Sequence, residues 1–164
     1  MQFIPLYNMV QMLRLSASPN TNLTFKKLDG TNSTLTRATY GSNYFYNIAP
    51  FGVQEEGTPD YTYHYRNLKV YASSADVIPA STTSILDQVG TTAVTFHHTT
   101  KGWEATISVT AVEGSKIKSF LFTKGLIYNT YMNFYEAVIF AIKLDNTVTI
   151  DSTGTANFTF AIEF

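Results

Sequence analysis

Apolar and polar residues alternate with a period of two along most of this chain, as is typical of antiparallel strands with one buried face. The stretch NFTFAIEF at 157–164 shows the alternation most clearly. Its apolar members, Phe158, Phe160, Ile162 and Phe164, fall on one side of an extended strand. We therefore predict a paired strand at 157–164, in which the first three side chains face the core and Phe164 covers its rim.

The same alternation predicts about eight to ten short strands after residue 22, separated by turn residues. One hairpin turns at Asp29-Gly30, and another turns near residues 100–102. A strand at Ile117–Thr123 is predicted to end in a turn at Lys124-Gly125. The apolar run EAVIFAIKL (136–144) reads as a buried strand that ends before Asp145-Asn146, and a last hairpin turns at residues 151–154.

Three further segments between residues 42 and 90 complete the predicted framework. Strands are expected at 42–48 and 61–74, the second of them long and alternating. The loop 49–60 is rich in proline and glycine, so we expect it to be irregular and the most exposed segment, with Glu55 and Glu56 in water. The segment 75–90 is predicted to be a loop with one helical turn at 84–88.

Only the first 15 residues show a helical period. We predict a helix at 5–15 with Pro5 in its first turn. Its apolar face is expected at i, i+3, i+4 and i+7, formed by Leu6, Met9, Val10 and Leu13, with Asn8, Gln11 and Arg14 on the opposite face. The helix would either plug an open end or edge of a sheet, or dock as an arm onto a neighbouring subunit.

These elements predict an all-β fold class: an antiparallel β-sandwich or jelly-roll-like domain with a short N-terminal helix. The 164 residues show no change of composition, so we predict one domain, 1–164, with residues 1–16 as the helical arm or plug. Charged residues make up only 14% of the chain, and threonine, serine and asparagine replace them, as on exposed sheet faces. The expected core is Trp103, Ile107, Val109, Phe120, Phe122, Val138, Phe140, Phe158, Phe160 and Ile162.

Charge and composition argue against several classes of partner. The net charge of −1 and the absence of a basic run argue against a nucleic-acid partner. No apolar stretch approaches the roughly 20 residues of a membrane span, so no membrane partner is expected. The chain has no cysteine, which excludes disulfides, thiolate metal sites and thiol nucleophiles.

The sequence shows no convincing catalytic or metal site, so we predict a non-enzymatic protein without a cofactor. His97 and His98 are adjacent in a predicted strand and point to opposite faces, so they cannot chelate one metal ion. The carboxylates are scattered, and neither a G-x-S-x-G nucleophile elbow nor a phosphate-binding glycine motif occurs. A small hydrolase whose active site the sequence does not reveal remains an alternative, ranked below the two interpretations given at the end of this subsection.

The tyrosines form the remaining candidate site. Clustered aromatic side chains on a sheet either stack on sugar rings or are buried against another subunit. The candidate residues for an interface or a glycan contact are Tyr40, Tyr44, Tyr46, Tyr61, Tyr63 and Tyr65.

The order of features in the second half resembles that of small tail, baseplate or fibre-attachment proteins of tailed bacteriophages. The resemblance covers residues 68–164, and more faintly 6–15, through the stretches LKVYASSADVIPASTTSILDQVG, SKIKSFLFTKG, EAVIFAIKL, TVTIDSTGTANFTFAIEF and YNMVQMLRL. Lys118-Ser119 stands where those proteins tend to carry an acidic residue and a glycine. The resemblance supplies no catalytic residues.

The expected function is therefore that of a structural component of a bacteriophage virion, of the tail, baseplate, fibre-attachment or adaptor type. It would be assembled in the host bacterial cytoplasm and would act through a homo-oligomer and contacts with other virion proteins. The sheet edges and aromatic faces would form the interfaces. The alternative is a carbohydrate-binding or host-surface-binding β domain, whose partner would be a glycan.

Overall fold

A computed structural model of the chain describes residues 1–17, 22–35, 49–59, 67–128, 131 and 133–164. It confirms an all-β fold with a short N-terminal helix. The helix is α1 (Tyr7–Ala17). The strands of the described ranges are β1 (Gln2–Pro5), β2 (Leu23–Lys26), β3 (Asn32–Leu35), β4 (Lys69–Ser73), β5 (Thr91–His98), β6 (Gly102–Thr110), β7 (Lys116–Ile127), β8 (Phe134–Thr149) and β9 (Thr155–Glu163).

Two antiparallel sheets face each other in a sandwich-like arrangement. The large sheet has the order β1-β8-β7-β4, the small sheet has the order β5-β6-β9, and β2 and β3 form a separate hairpin. Phe120 of the large sheet lies 4.8 Å from the ring of Phe158 and 5.2 Å from the ring of Phe160, both in the small sheet. These edge-to-face contacts lie in the centre of the layer between the sheets.

Most of the predicted core is buried as expected. Trp103, Ile107, Val109, Phe120, Phe122, Val138, Phe140 and Phe160 are all buried. Phe158 and Ile162 are only partly buried and pack against the edge of the core, because β9 is the outermost strand of the small sheet. The two hairpins predicted at Asp29-Gly30 and near residues 100–102 pair in the expected antiparallel sense. The prediction of a last hairpin at 151–154 is wrong, because this turn carries the chain from β8 in the large sheet to β9 in the small sheet.

The large sheet is covered on both faces, which explains the apolar run at 136–144. One face meets the small sheet. On the other face, Leu121, Val138 and Ala141 pack against Leu6 and Ile78. The residue between β1 and α1 and the segment after β4 thus join a second, smaller core. A strand buried on both faces loses the polar positions that alternation would otherwise show.

The predicted ends of the two central strands are wrong. β7 continues through Lys124-Gly125 to Ile127, and β8 continues through Asp145-Asn146 to Thr149. Lys124 pairs with Ala137 and Gly125 pairs with Glu136 in the ladder between the two strands. Hydrogen bonding to a neighbouring strand therefore overrides the local turn preference of these dipeptides.

Residues 2–5 form a strand, and the prediction of a helix from Pro5 is wrong. β1 pairs with β8, with Pro5 opposite Phe140, and α1 begins only at Tyr7. Proline is acceptable here because β1 is an edge strand, where a backbone N–H need not join a ladder.

The predicted orientation of the helix is only half correct: Leu6 and Met9 are buried as expected, but other positions of the predicted faces are wrong. Val10 and Leu13 are 46% and 49% exposed, whereas Asn8 is fully buried. The Asn8 amide donates to Lys26 O at 2.9 Å and to Val138 O at 3.0 Å, and its oxygen accepts from Lys26 N at 2.9 Å. One asparagine thereby joins α1 to β2 and β8. Because these three hydrogen bonds satisfy its amide, Asn8 can occupy the buried face of the helix.

We expect Asn8→Leu to lower the free energy of unfolding by about 2–4 kcal/mol, because it removes the partner of one buried carbonyl, one partly buried carbonyl and one N–H. Urea unfolding followed by circular dichroism measures the effect. Val10→Ala on the exposed face is the control and should cost less than about 1 kcal/mol. Equal losses in the two variants would contradict the assigned orientation of α1.

The remaining expectations concern the segments before β5. Of the strand predicted at 61–74, the described part is a strand only at Lys69–Ser73. The segment 75–90 contains no helical turn; Gln88 instead bridges to Ser73, and Val89 N donates to Ala72 O at 2.9 Å. The strand predicted at 42–48 and the beginning of 61–74 lie outside the described residues.

Candidate interaction surface

The outer edge of β9 is the longest strand edge that the described hydrogen bonds leave open. β9 pairs with β6 through nine residues without a register shift. Phe164 N donates to Lys101 O at 2.8 Å and Ala111 N donates to Gly154 O at 3.0 Å. Hydrogen-bonded pairs recur at every second residue of an antiparallel ladder, so the even-numbered residues of β9 bond to β6.

The odd-numbered residues of β9 therefore direct their N–H and C=O groups away from β6. We call these groups the β9 edge; they belong to Thr155, Asn157, Thr159, Ala161 and Glu163. The side chains of the last four are exposed on the solvent face of the small sheet. These four residues present both a side chain and a backbone to a partner.

The other described sheet edges are short or covered. β1 has only four residues and ends in Pro5. The edge of β4 receives Val89 N at Ala72 O, and the edge of β5 receives Glu56 N at Phe96 O, 3.0 Å away. Short edge strands, prolines and covering segments are the usual protections against pairing with another chain. Within the described ranges, β9 is covered only at its first residue, where Thr155 N donates to Thr153 Oγ1 at 3.4 Å and Thr155 O accepts from it at 3.3 Å.

An aromatic patch lies beside the end of β9, and it consists of Phe3, Phe51, Phe140 and Phe164. The ring of Phe51 is 5.9 Å from Phe3, 5.4 Å from Phe140 and 5.6 Å from Phe164. Phe140 is fully buried, whereas Phe3 is 43% and Phe164 is 74% exposed. Phe164 therefore touches the rim of the core through Phe51 but leaves most of its ring in water.

The loop 49–59 packs across the end of the sandwich, so the prediction that it is the most exposed segment is wrong. Pro50 is buried, and Phe51 and Val53 pack against the core. Trp103 Nε1 donates to Phe51 O at 2.8 Å. The loop is irregular, as its proline and glycine content predicts, but its apolar residues cover the open end of the layer between the sheets. Only its later part reaches water.

Lys124 anchors this loop from inside the sandwich. It lies on the same face of β7 as Phe120 and Phe122 and is 2% exposed. Its Nζ donates to Ala49 O at 2.5 Å and to Gly52 O at 3.3 Å. Burial lowers the pKa of Lys124 from 10.5 to about 7, because the apolar surroundings disfavour the charged amine.

A partly buried polar group connects three strands of the large sheet. Tyr71 donates its hydroxyl hydrogen to Glu136 Oε1 at 2.5 Å, and Thr123 Oγ1 donates to the same oxygen at 2.7 Å. Burial and the hydrogen bond to Glu136 raise the pKa of the Tyr71 hydroxyl. Tyr71 therefore remains a proton donor at neutral pH, and the group joins β4, β7 and β8.

The two adjacent histidines contact different parts of the loop. His98 Nε2 lies 2.9 Å from Val53 O, and His97 Nε2 lies 3.8 Å from a carboxylate oxygen of the exposed Glu56. No group of three histidine, aspartate or glutamate side chains among the described residues is close enough to hold a metal ion. Likewise, no helix in the described part of the chain is long and apolar enough to cross a membrane.

Comparison with known protein families, with curated proteins and with solved structures found no match to this chain.

The candidate tyrosines lie in parts of the chain outside the described residues. The glycan and interface role of Tyr40, Tyr44, Tyr46, Tyr61, Tyr63 and Tyr65 therefore stays a prediction. The structure does place the other candidates: Phe160 is buried, Phe158 and Ile162 are half-buried, and Phe164 is exposed at the end of the strand.

Sequence reasoning missed the most unusual residue of this region, Lys124. It was assigned to a turn, although Phe120, Phe122 and Leu126 continue the alternation on either side of it. Extending that period through Gly125 would have placed a lysine among inward-facing positions. The openness of the β9 edge had no comparable signal, because it depends on which strands lie beside β9.

Proposed function

We propose that this protein is a non-enzymatic structural component that acts by assembling with copies of itself and with other proteins of a particle. The observation that carries the proposal is the β9 edge, the outer side of a regular nine-residue strand that pairs with β6 on its other side only. An open edge of this length is a template for pairing with another chain, and strand addition is a common mode of protein recognition.

The aromatic patch supports the same proposal. Phe3 and Phe164 expose large apolar rings beside the end of β9, so backbone hydrogen bonding and apolar contact are available at one place. Interfaces are enriched in aromatic side chains of this kind. The particle we propose is a bacteriophage virion, in its tail, baseplate or fibre-attachment region, because the order of features in residues 68–164 resembles proteins of that type.

Self-association of the purified protein tests the proposal most directly. We expect sedimentation velocity to show a concentration-dependent oligomer in the micromolar range. Phe3→Ser combined with Phe164→Ser should weaken it by removing apolar contact area, while Val112→Ser, an exposed site away from the patch, should leave it unchanged. A monomer at every concentration, together with turnover of an ester or glycoside panel, would contradict an assembly role.

The particle itself tests the second part of the proposal. Mass spectrometry and cryo-EM of particles from the source of the gene should find this chain in several copies, with a sandwich-like density that fits the two sheets. Purified particles that lack the chain would contradict a virion role while leaving self-association intact. Binding on a glycan array by the isolated protein would instead favour the host-surface alternative.

A further inference from the structure

We infer that a second copy of this chain binds at the β9 edge, antiparallel to β9, with Thr159 facing Thr159 of the other copy across a two-fold axis. The inference rests on the proposed function and specifies its interface. The small sheets of the two copies would join into one continuous sheet, with the two β9 strands at its centre.

The backbone of β9 favours this register. The residues with outward N–H and C=O groups are 155, 157, 159, 161 and 163. Centring on Thr159 pairs every one of them: 155 with 163, 157 with 161, and 159 with itself. By the two-fold symmetry these make five residue pairs and about ten hydrogen bonds. Four of these bonds replace the long contacts of Thr155 with Thr153 Oγ1. A register centred on Phe158 or Phe160 keeps four residue pairs, or about eight bonds. One centred on Asn157 or Ala161 keeps three, or about six bonds.

The solvent-facing side chains suit this register. Thr159 would lie opposite its own copy, and paired threonines are favourable across strands. Asn157 would lie opposite Ala161. Glu163, the one charged residue of β9, would lie opposite Thr155. No like charges therefore meet, although like charges placed opposite each other are the usual means by which an edge rejects a second copy.

The core-facing side chains favour the same partner. Phe158 and Ile162 are only partly buried, because no described strand continues the small sheet beyond β9. In the register centred on Thr159, Phe158 lies beside Phe160 of the second copy, and Ile162 lies beside Ala156. Each copy thus covers the partly buried apolar side chains of the other with the same side chains of its own. Such self-complementarity is the property of an isologous two-fold contact.

Single cysteines test the register cleanly, because the chain has none of its own. Residues in a hydrogen-bonded antiparallel pair have Cα atoms about 5.5 Å apart, within disulfide range. We expect Thr159→Cys to form a covalent dimer under mild oxidation. Asn157→Cys or Ala161→Cys alone should not, since each would be about 13 Å from its own copy. A mixture of the last two variants should cross-link.

Thr106→Cys is the matched control. Thr106 is exposed on the same face of the small sheet and pairs directly with Thr159, but it lies on the central strand β6. Its thiol should not cross-link. Cross-linking of Asn157→Cys or Ala161→Cys alone as readily as Thr159→Cys would overturn the register, and equal cross-linking of Thr106→Cys would overturn the edge contact.

A charge at the two-fold axis provides a second test. Thr159→Lys places two ammonium groups opposite each other, so we expect the dissociation constant of the dimer to rise about tenfold or more. Thr106→Lys should leave the dissociation constant unchanged. Circular dichroism should be the same for both variants, because both sites are exposed.

The outcomes separate this inference from the proposed function. An oligomer that forms but neither cross-links through Thr159→Cys nor weakens with Thr159→Lys would refute the β9 contact and leave an assembly role standing. A wild-type protein that stays monomeric at all concentrations would refute the β9 contact and, together with turnover of an ester or glycoside panel, the proposed function as well. Cross-linking of Thr159→Cys and of the mixed pair, with loss of the dimer in Thr159→Lys, would establish the register.

Discussion

Replacing Phe160 with alanine is expected to lower the free energy of unfolding by about 3–5 kcal/mol. The Phe160 side chain is 3% exposed, and its ring lies 5.2 Å from that of Phe120 on the opposite sheet. Truncation removes buried apolar surface and leaves a cavity that the two sheets cannot close. Domain stability is typically only about 5–15 kcal/mol, so this one change should leave the protein close to unfolding.

Phe164→Ala is the matched control. Phe164 follows β9 directly and continues the alternation of Phe160, so both side chains lie on the same side of the chain. Phe164 is 74% exposed, so the expected loss is below about 1 kcal/mol. Urea unfolding of both variants, followed by the fluorescence of Trp103, measures the difference. A loss for Phe164→Ala as large as that for Phe160→Ala would show that the last residue is buried in solution and that the assigned exposure is wrong.

Stability should rise with pH between about 7 and 10 because of Lys124. The pKa of Lys124 is about 7 in the folded protein against 10.5 for the ordinary side chain. In this window the unfolded chain binds a proton that the folded protein does not, so raising the pH favours folding by up to about 1.4 kcal/mol per unit. Below the window both states are protonated, and the full cost of burying the ammonium group is present.

Lys124→Met removes this dependence, since methionine fills similar space without a titratable group. We expect the free energy of unfolding of the wild type to gain about 2–3 kcal/mol over the variant between pH 7 and pH 9. Lys116→Met, at an exposed position, should follow the wild type within about 0.5 kcal/mol. Parallel pH profiles for wild type and Lys124→Met would show that the Lys124 amine is solvated, contrary to the structure.

The period-two alternation was sufficient to predict the fold class and the terminal strand. The positions from Asn157 to Glu163 form a strand that pairs with β6. Its branched and aromatic residues, at every second position, bury one face against the opposite sheet. The turns at Asp29-Gly30 and at 151–154 were also predictable, because such residues accept the backbone angles that tight turns require.

The interaction surface was only partly predictable. The alternation identified which side chains of β9 face the core, but Ile162 and Phe158 proved half-buried because β9 has no described neighbour beyond it. The exposed ring of Phe164 and its contact with Phe51 depend on where the loop 49–59 crosses the end of the sandwich. Sequence reasoning had placed that loop in water.

By itself, then, the sequence determined the local conformation: which segments extend, which side of each strand is apolar, and where the tightest turns fall. Only the tertiary structure decided the length of β7 and β8, the burial of Asn8 and Lys124, and the openness of the β9 edge. The physical reason is that each of these depends on a partner distant in the chain. The hydrogen-bond partners and the residues that cover a side chain come from segments far apart in the chain. A local pattern does not specify which segment will supply them.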